Sequence, residues 1–208
     1  MDVLLPFLGA CLLIAASPGP STVLIIRNSL RSRRAGLMTV LGNETGVFVW
    51  GVVAALGLTA LLAASEVAYD VMRYVGAGVL VVFGLQALRS ARNGGSISFE
   101  EQPQESSVRR TGLRAYRSGL LMNLANPKAA VFALSFLPQF VPAGAPQLPA
   151  MVGLAALWAV FEVGYYATYV WCVGRMRRML SRAGVRRRLE QVSGGVLLAL
   201  GMRLALEG

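Results

Sequence analysis

The sequence predicts an all-α, polytopic membrane protein. Six transmembrane helices are expected, arranged as two inverted three-helix repeats with broken first and fourth helices. Three observations carry that expectation. Six apolar runs are each long enough, or nearly so, to cross a bilayer. The basic residues gather in every second loop between them. Two proline breaks fall in corresponding runs of the two halves.

Composition sets the class. The 208 residues are 55% apolar and 14% charged, with a mean hydropathy of +0.58. Soluble domains sit near one quarter charged and about 45–50% apolar. With the long apolar runs, these figures exclude a water-soluble enzyme, a disordered chain and a fibrous repeat. Net charge is +10, from 20 Lys+Arg against 10 Asp+Glu. That excess does not point to nucleic acid, because it falls in short blocks between apolar runs. There is no His, so the commonest metal ligand and the usual neutral-pH proton carrier are missing. Cys11 and Cys172 lie inside apolar runs and read as small core residues rather than a disulfide or metal pair. No cofactor is expected.

A hydrocarbon core of about 30 Å takes roughly 20 apolar residues per helix. The runs are Val3–Ile26, Leu37–Ala63, Val71–Leu88, Gly119–Phe140, Ala150–Val173 and Glu190–Leu206, the third and sixth near the short limit. The first does not read as a cleaved signal. Its start, Met1-Asp2, has no positive region, and no small-residue cleavage pattern precedes its Pro-Gly-Pro.

The loops set the orientation. Arg27, Arg31, Arg33 and Arg34 fill the first loop. Arg89, Arg92, Arg109, Arg110, Arg114 and Arg117 flank the third, and a block from Arg175 to Arg188 fills the fifth. The other side holds Asp2, Glu66, Asp70 and Glu207, with Arg73 as its basic exception. Cytoplasmic loops carry the Lys/Arg excess, so both termini are expected to be periplasmic or external, and an even number of spans agrees with this. The stretch 93–111, rich in Gly, Ser, Glu and Gln, reads as a flexible cytoplasmic linker between a first repeat, 1–92, and a second, 112–208. Together they form one transmembrane domain.

The halves echo each other. Gly78-Val79-Leu80 and Gly84 match Gly195-Val196-Leu197 and Gly201 in spacing. The first run breaks at Ser17-Pro18-Gly19-Pro20 and the fourth at Asn126-Pro127-Lys128. A three-helix unit is odd, so its copy enters the membrane upside down. Inverted repeats with interrupted helices place a transported substrate at the breaks.

Both breaks have the grammar of a helix start, with Ser17 or Asn126 as N-cap and Pro18 or Pro127 at the first position. Each is expected to open a half-helix whose amides, near Gly19, Ser21 and Thr22 and near Lys128 and Ala129, face the interior. Such tips attract carboxylates, and Lys128 adds a full charge. The plainer alternative is two kinks that serve packing alone.

Ionisable residues inside apolar runs are costly and mark function by default. Glu44, beside Asn43 in Gly42-Asn43-Glu44-Thr45-Gly46, and Glu162, with Tyr165, Tyr166 and Tyr169 at helical spacings, are suited to carry a proton or to pair with a substrate ammonium. A tyrosine face adds cation–π contact. The alternatives are a snorkelling surface acid for Glu44 and an internal ion pair with Lys128 or Arg203 for Glu162. Tyr169 and Trp171 also suit an interfacial belt. Gly42, Gly46, Gly76, Gly84, Gly194 and Gly201 read as close helix packing.

These motifs carry a resemblance. Ser17-Pro18-Gly19-Pro20, then Arg33-Arg34-Ala35-Gly36-Leu37 and the glycine-rich second helix, are similar to the LysE/RhtB family of bacterial amino-acid exporters. So is Asn123-Leu124-Ala125-Asn126-Pro127-Lys128-Ala129-Ala130-Val131-Phe132 running to Leu137-Pro138-Gln139-Phe140. The likeness covers nearly the whole chain in order, and Asn-Pro-Lys with its downstream Pro-Gln-Phe is its specific part. It implies a six-helix carrier of the bacterial inner membrane that exports amino acids or close derivatives, driven by proton motive force as an antiporter. Glu44 stands where the family shows varied, often uncharged residues, which turns it toward tuning substrate choice.

The expected partners are an amino-acid substrate, the lipid bilayer and protons, with no nucleic acid and with a homodimer left open. The expected site comprises Ser17, Pro18, Gly19, Pro20, Ser21, Thr22, Asn43, Glu44, Asn126, Pro127, Lys128, Glu162 and Tyr165, without catalytic or metal-binding residues. The substrate carboxylate is expected at the two half-helix tips and its ammonium at Glu44 or Glu162. The rival readings are a membrane redox conduit or assembly factor, which needs a meeting cysteine pair, and a heavy-metal exporter, which needs soft ligands.

Overall fold

The computed structural model describes residues 4–17, 19–64, 66–93, 108–142, 144–180 and 182–206. Pro18 and residues 94–107 of the expected linker fall outside them, as do the side chains of Arg73 and Arg203.

The described residues are helical nearly throughout, because backbone in lipid must satisfy its own polar groups. The first apolar run becomes α1 (Leu4–Ala16) and α2 (Pro20–Arg31). Next come α3 (Arg33–Ala64) and α4 (Glu66–Asn93). The fourth run becomes α5 (Val108–Leu124), α6 (Pro127–Phe136) and a 3-10 turn, Leu137–Phe140. Then follow α7 (Gln147–Trp171), a short basic α8 (Val173–Leu180) and α9 (Ala183–Leu206).

Most of these helices outrun their apolar runs. Their charged ends stay helical past the apolar runs. Helix therefore reaches into both ends of the stretch 93–111, through Asn93 of α4 and from Val108 of α5.

The two proline breaks are sharp. The axis turns by 67° between α1 and α2, and by 58° between the Gly112–Leu124 part of α5 and Pro127–Phe140. Among the described residues, α3 and α7 are each long and apolar enough to cross a membrane, and the two bent pairs raise the number to four. α4 and α9 are not in that set, which covers the described residues alone.

Glycines set the closest crossings. A Cβ on Gly42 would strike the Tyr116 carbonyl, and one on Gly119 the Thr39 carbonyl, so α3 and α5 touch backbone to backbone. α4 and α9 touch where a Cβ on Gly84 would stand 2.8 Å from the Gly194 oxygen and one on Gly201 2.9 Å from the Ala77 oxygen. Such close approach lets dispersion hold helices that gain no hydrophobic drive from lipid. The packing reading holds for Gly42, Gly46, Gly84, Gly194 and Gly201, while the surroundings of Gly76 lie outside the described residues.

Two apolar clusters flank the centre. Phe7, Phe132, Phe136, Phe140 and Trp158 stack into one, with the Phe132 and Phe136 rings 4.2 Å apart. Ile25, Ile26, Val40, Tyr166, Tyr169 and Val170 form the other. At the arginine-rich end, the Arg33 guanidinium lies 4.8 Å from the Trp171 ring and ties the start of α3 to the end of α7.

Gly119→Ala is expected to lower the thermal midpoint in detergent through an overpacking cost of about 1–3 kcal/mol. Gly57→Ala, whose Cβ would meet nothing within 4 Å, is expected to leave it unchanged. Equal midpoints for the two variants would refute the close-crossing account.

Candidate functional site

The two breaks meet around one cavity of ≈ 390 Å³. Ser17, Gly19, Pro20, Ser21 and Thr22 line it from the first break, and Asn126, Pro127 and Lys128 from the second. Asn43 and Val47 of α3, Asn123 of α5, and Trp158, Glu162 and Tyr166 of α7 complete its inner wall. Gln86 of α4 and Glu190 and Leu197 of α9 close the far side. The cavity lies between the two apolar clusters, since Trp158 belongs to one and Tyr166 to the other.

The first tip starts later than its sequence implies. The N-cap of α2 is Gly19, in extended backbone at φ −151° and ψ −176°, and Pro20 takes the first helical position, not Ser17 and Pro18. Gly19 has no side chain to cover the first amides, so those of Ser21 and Thr22 open the helix bare. Ser21 Oγ is buried and finds no hydrogen-bond partner among the described residues. An uncovered tip with an idle hydroxyl is fit to receive a carboxylate.

The second tip differs. Asn126 caps α6 as expected, its side chain accepting the Lys128 amide at 3.1 Å, with Pro127 at the first position. That amide is therefore spent inside the protein, and the tip offers the Lys128 ammonium instead. Lys128 is the only lysine in the chain. Its Nζ donates to the Ile14 carbonyl at 3.2 Å, at the broken end of α1.

That broken end also receives donors from the other half. Ser193 of α9 donates to the Leu13 carbonyl at 3.1 Å, and Tyr166 of α7 donates to the Ala15 carbonyl at 3.3 Å. The broken end of α5 is treated alike, with Trp50 of α3 donating to the Asn123 carbonyl at 3.3 Å. Carbonyls freed by a break in lipid need such donors.

Both acids are interior groups. Glu162 is 4% exposed and accepts from Trp158 Nε1 at 2.8 Å. Glu44 is 3% exposed and accepts from Asn43 Nδ2 at 2.8 Å, which removes the snorkelling alternative. Asn43 in turn accepts from Asn123 Nδ2 at 3.3 Å. Glu44 stands behind the cavity wall rather than in it, with its carboxyl in reach of Glu162. Lys128 acts on Glu162 through its charge, but the described residues hold no direct ion pair between them.

Tyr165, like Glu44, does not line the cavity. Its hydroxyl bonds that of Tyr169 at 2.8 Å, and Tyr166 lines the cavity instead. Four-residue spacing already favours Tyr166, since Trp158, Glu162 and Tyr166 make one stripe on α7. Asn123, one turn before Asn126, carries a similar local signal. Gln86 and Glu190 carry none, because only the tertiary arrangement brings α4 and α9 to this face. Cys11 is buried and Cys172 exposed, and both are free, so the pair a redox conduit needs does not form.

Asn126→Ala is expected to cost about 0.5–2 kcal/mol of stability through the lost cap, while Asn126→Ser retains most of it. Thermal unfolding in detergent measures both, and an Ala variant as stable as the Ser variant would remove the capping role.

Comparison with known proteins follows this geometry. The model of the LysE type translocator family matches residues 12–208. The homoserine/homoserine lactone efflux protein of Salmonella typhimurium is 26% identical over 194 residues, covering 93% of this chain and 91% of the relative. The threonine efflux protein of Escherichia coli K12 is 29% identical over 199 residues, covering 91% of each. The uncharacterized membrane protein YrhP of Bacillus subtilis is 24% identical over 209 residues, covering 99% of this chain and all of its own. No solved structure matches the chain. The chain is a membrane protein of the LysE type translocator family, a family of transporters rather than enzymes.

Proposed function

We propose that the protein is a secondary exporter of amino acids across the bacterial inner membrane, coupled to proton motive force. One observation carries the reading: a single cavity sets an uncovered helix tip and a lysine opposite a buried carboxylate. A zwitterion needs both ends. Its carboxylate goes to the amides of Ser21 and Thr22, Ser21 Oγ and Lys128. Its ammonium goes to Glu162, with Glu44 behind it. The names of the Salmonella and Escherichia relatives agree with such a substrate.

Six spans in two inverted repeats support alternating access. α4 and α9 supply the third and sixth spans. Exchanging the halves maps the α3–α7 pair and the α4–α9 pair onto themselves, and maps the contact of α1 with α7 onto that of α5 with α3. The Gly84–Gly194 approach becomes the Gly201–Ala77 approach at the offset that relates Gly78 to Gly195. Rocking of one three-helix unit against the other would then expose the cavity to each side in turn. Both termini lie outside by the arginine asymmetry, and a homodimer is compatible with this arrangement.

Cells expressing the protein and loaded with peptides are expected to release threonine or homoserine faster than cells without it. Unchanged release across a broad amino-acid panel would overturn the exporter. Lys128→Ala is expected to bring efflux to background while the protein still reaches the membrane fraction. It should also lose about 1–3 kcal/mol of stability, because the Ile14 carbonyl loses its donor. Normal efflux by that variant would remove Lys128 from the site.

A further inference from the structure

The geometry points to a two-carboxyl site in which Glu44 and Glu162 hold one proton between them in the empty carrier, a proton that the substrate's ammonium displaces. One proton then enters for each amino acid that leaves. The inference deepens the exporter reading and rests on it.

Helix register brings the two acids together. Gly51 of α3 lies against Ala155 of α7, whose side chain a Cβ on Gly51 would strike. From that crossing, Glu44 and Glu162 lie seven residues away along their antiparallel helices, about two turns on each side. They face each other at the same depth, and their carboxyls are in hydrogen-bonding reach.

Hydrogen-bond accounting shows what the contact lacks. Asn123 donates to Asn43, Asn43 donates to Glu44, and Trp158 donates to Glu162. Every link has a donor except the one between the acids. Glu44 Oε2 is buried and has no partner among the described residues. Two carboxylates only accept, so their contact is a bond only when one hydrogen lies between them. A hydrogen there also removes the repulsion of two charges away from water.

The neighbours leave the pair responsive. Lys128 faces Glu162 from α6 and supports one negative charge on the pair. Tyr166 and Tyr165 of α7 and Cys11 of α1 face it, and Glu190 of α9 lines the same cavity. Glu162 lines the cavity and Glu44 backs it, so an ammonium reaching Glu162 takes the place that the shared proton held. The displaced proton leaves to the cytoplasm, where the substrate entered, and the pair reloads from outside after release. Atoms and charge balance as one H⁺ inward for one zwitterion outward.

Infrared difference spectroscopy on the protein in lipid nanodiscs at neutral pH tests the pair without any substrate. The empty protein is expected to show one protonated-carboxyl band that Glu44→Gln and Glu162→Gln both abolish. A band that survives either substitution overturns the pair. A pH-indicator titration with threonine, and then with homoserine, tests displacement. About one proton per bound amino acid is expected from the native protein and none from either variant. Binding without proton release overturns the exchange. In proteoliposomes, an imposed proton gradient is expected to drive uphill threonine movement only with both acids present. Failure of the exporter reading looks different: no amino acid binds or exchanges, which overturns the displacement step, while the carboxyl band still decides the pair.

Discussion

A helix that stops inside a membrane leaves carbonyls that nothing in the lipid can satisfy. The architecture around the cavity follows from that constraint. The break after Ala16 frees the carbonyls of Ile14 and Ala15, which the second half meets with Lys128 and Tyr166, while Ser193 adds a second donor to the Leu13 carbonyl that already accepts the Ser17 amide. Each donor comes from a different helix, so α6, α7 and α9 are all anchored to one broken end. Trp50 does the same for α5 from the first half. The two halves therefore hold each other by hydrogen bonds at the places where each is incomplete.

This anchoring changes what Lys128 does. As a bare charge it would only attract a carboxylate. As a donor to Ile14 it also ties α6 to α1, so any anion that draws the ammonium away loosens that tie. The two tips are not equivalent either: α2 is capped by Gly19 and presents amides, whereas Asn126 closes α6 and leaves only the ammonium. One tip presents a dipole and the other a charge.

The interior of the cavity is polar on one wall and apolar at both ends. Aromatic rings from Phe7 to Trp158 pack one end, and tyrosines with Ile25, Ile26 and Val40 pack the other. Acids and amides are confined between them, where a charged substrate would exchange its water for fixed partners. Glycine crossings at α3–α5 and α4–α9 keep the helices close enough for those partners to converge.

Much of this was legible in one dimension. Lipid accepts only helices here, so apolar runs predict them, and proline followed by helix-forming residues predicts where they restart. Asn126, Lys128, Glu44 and Glu162 stand out because polar groups in such runs are costly. Tertiary structure alone decided the rest. It placed the α2 cap at Gly19, because a glycine leaves no local signal of whether it or Ser17 turns the chain. It brought Gln86 and Glu190 to the cavity, and Glu44 against Glu162, because contacts between distant helices are fixed by packing and not by neighbouring residues.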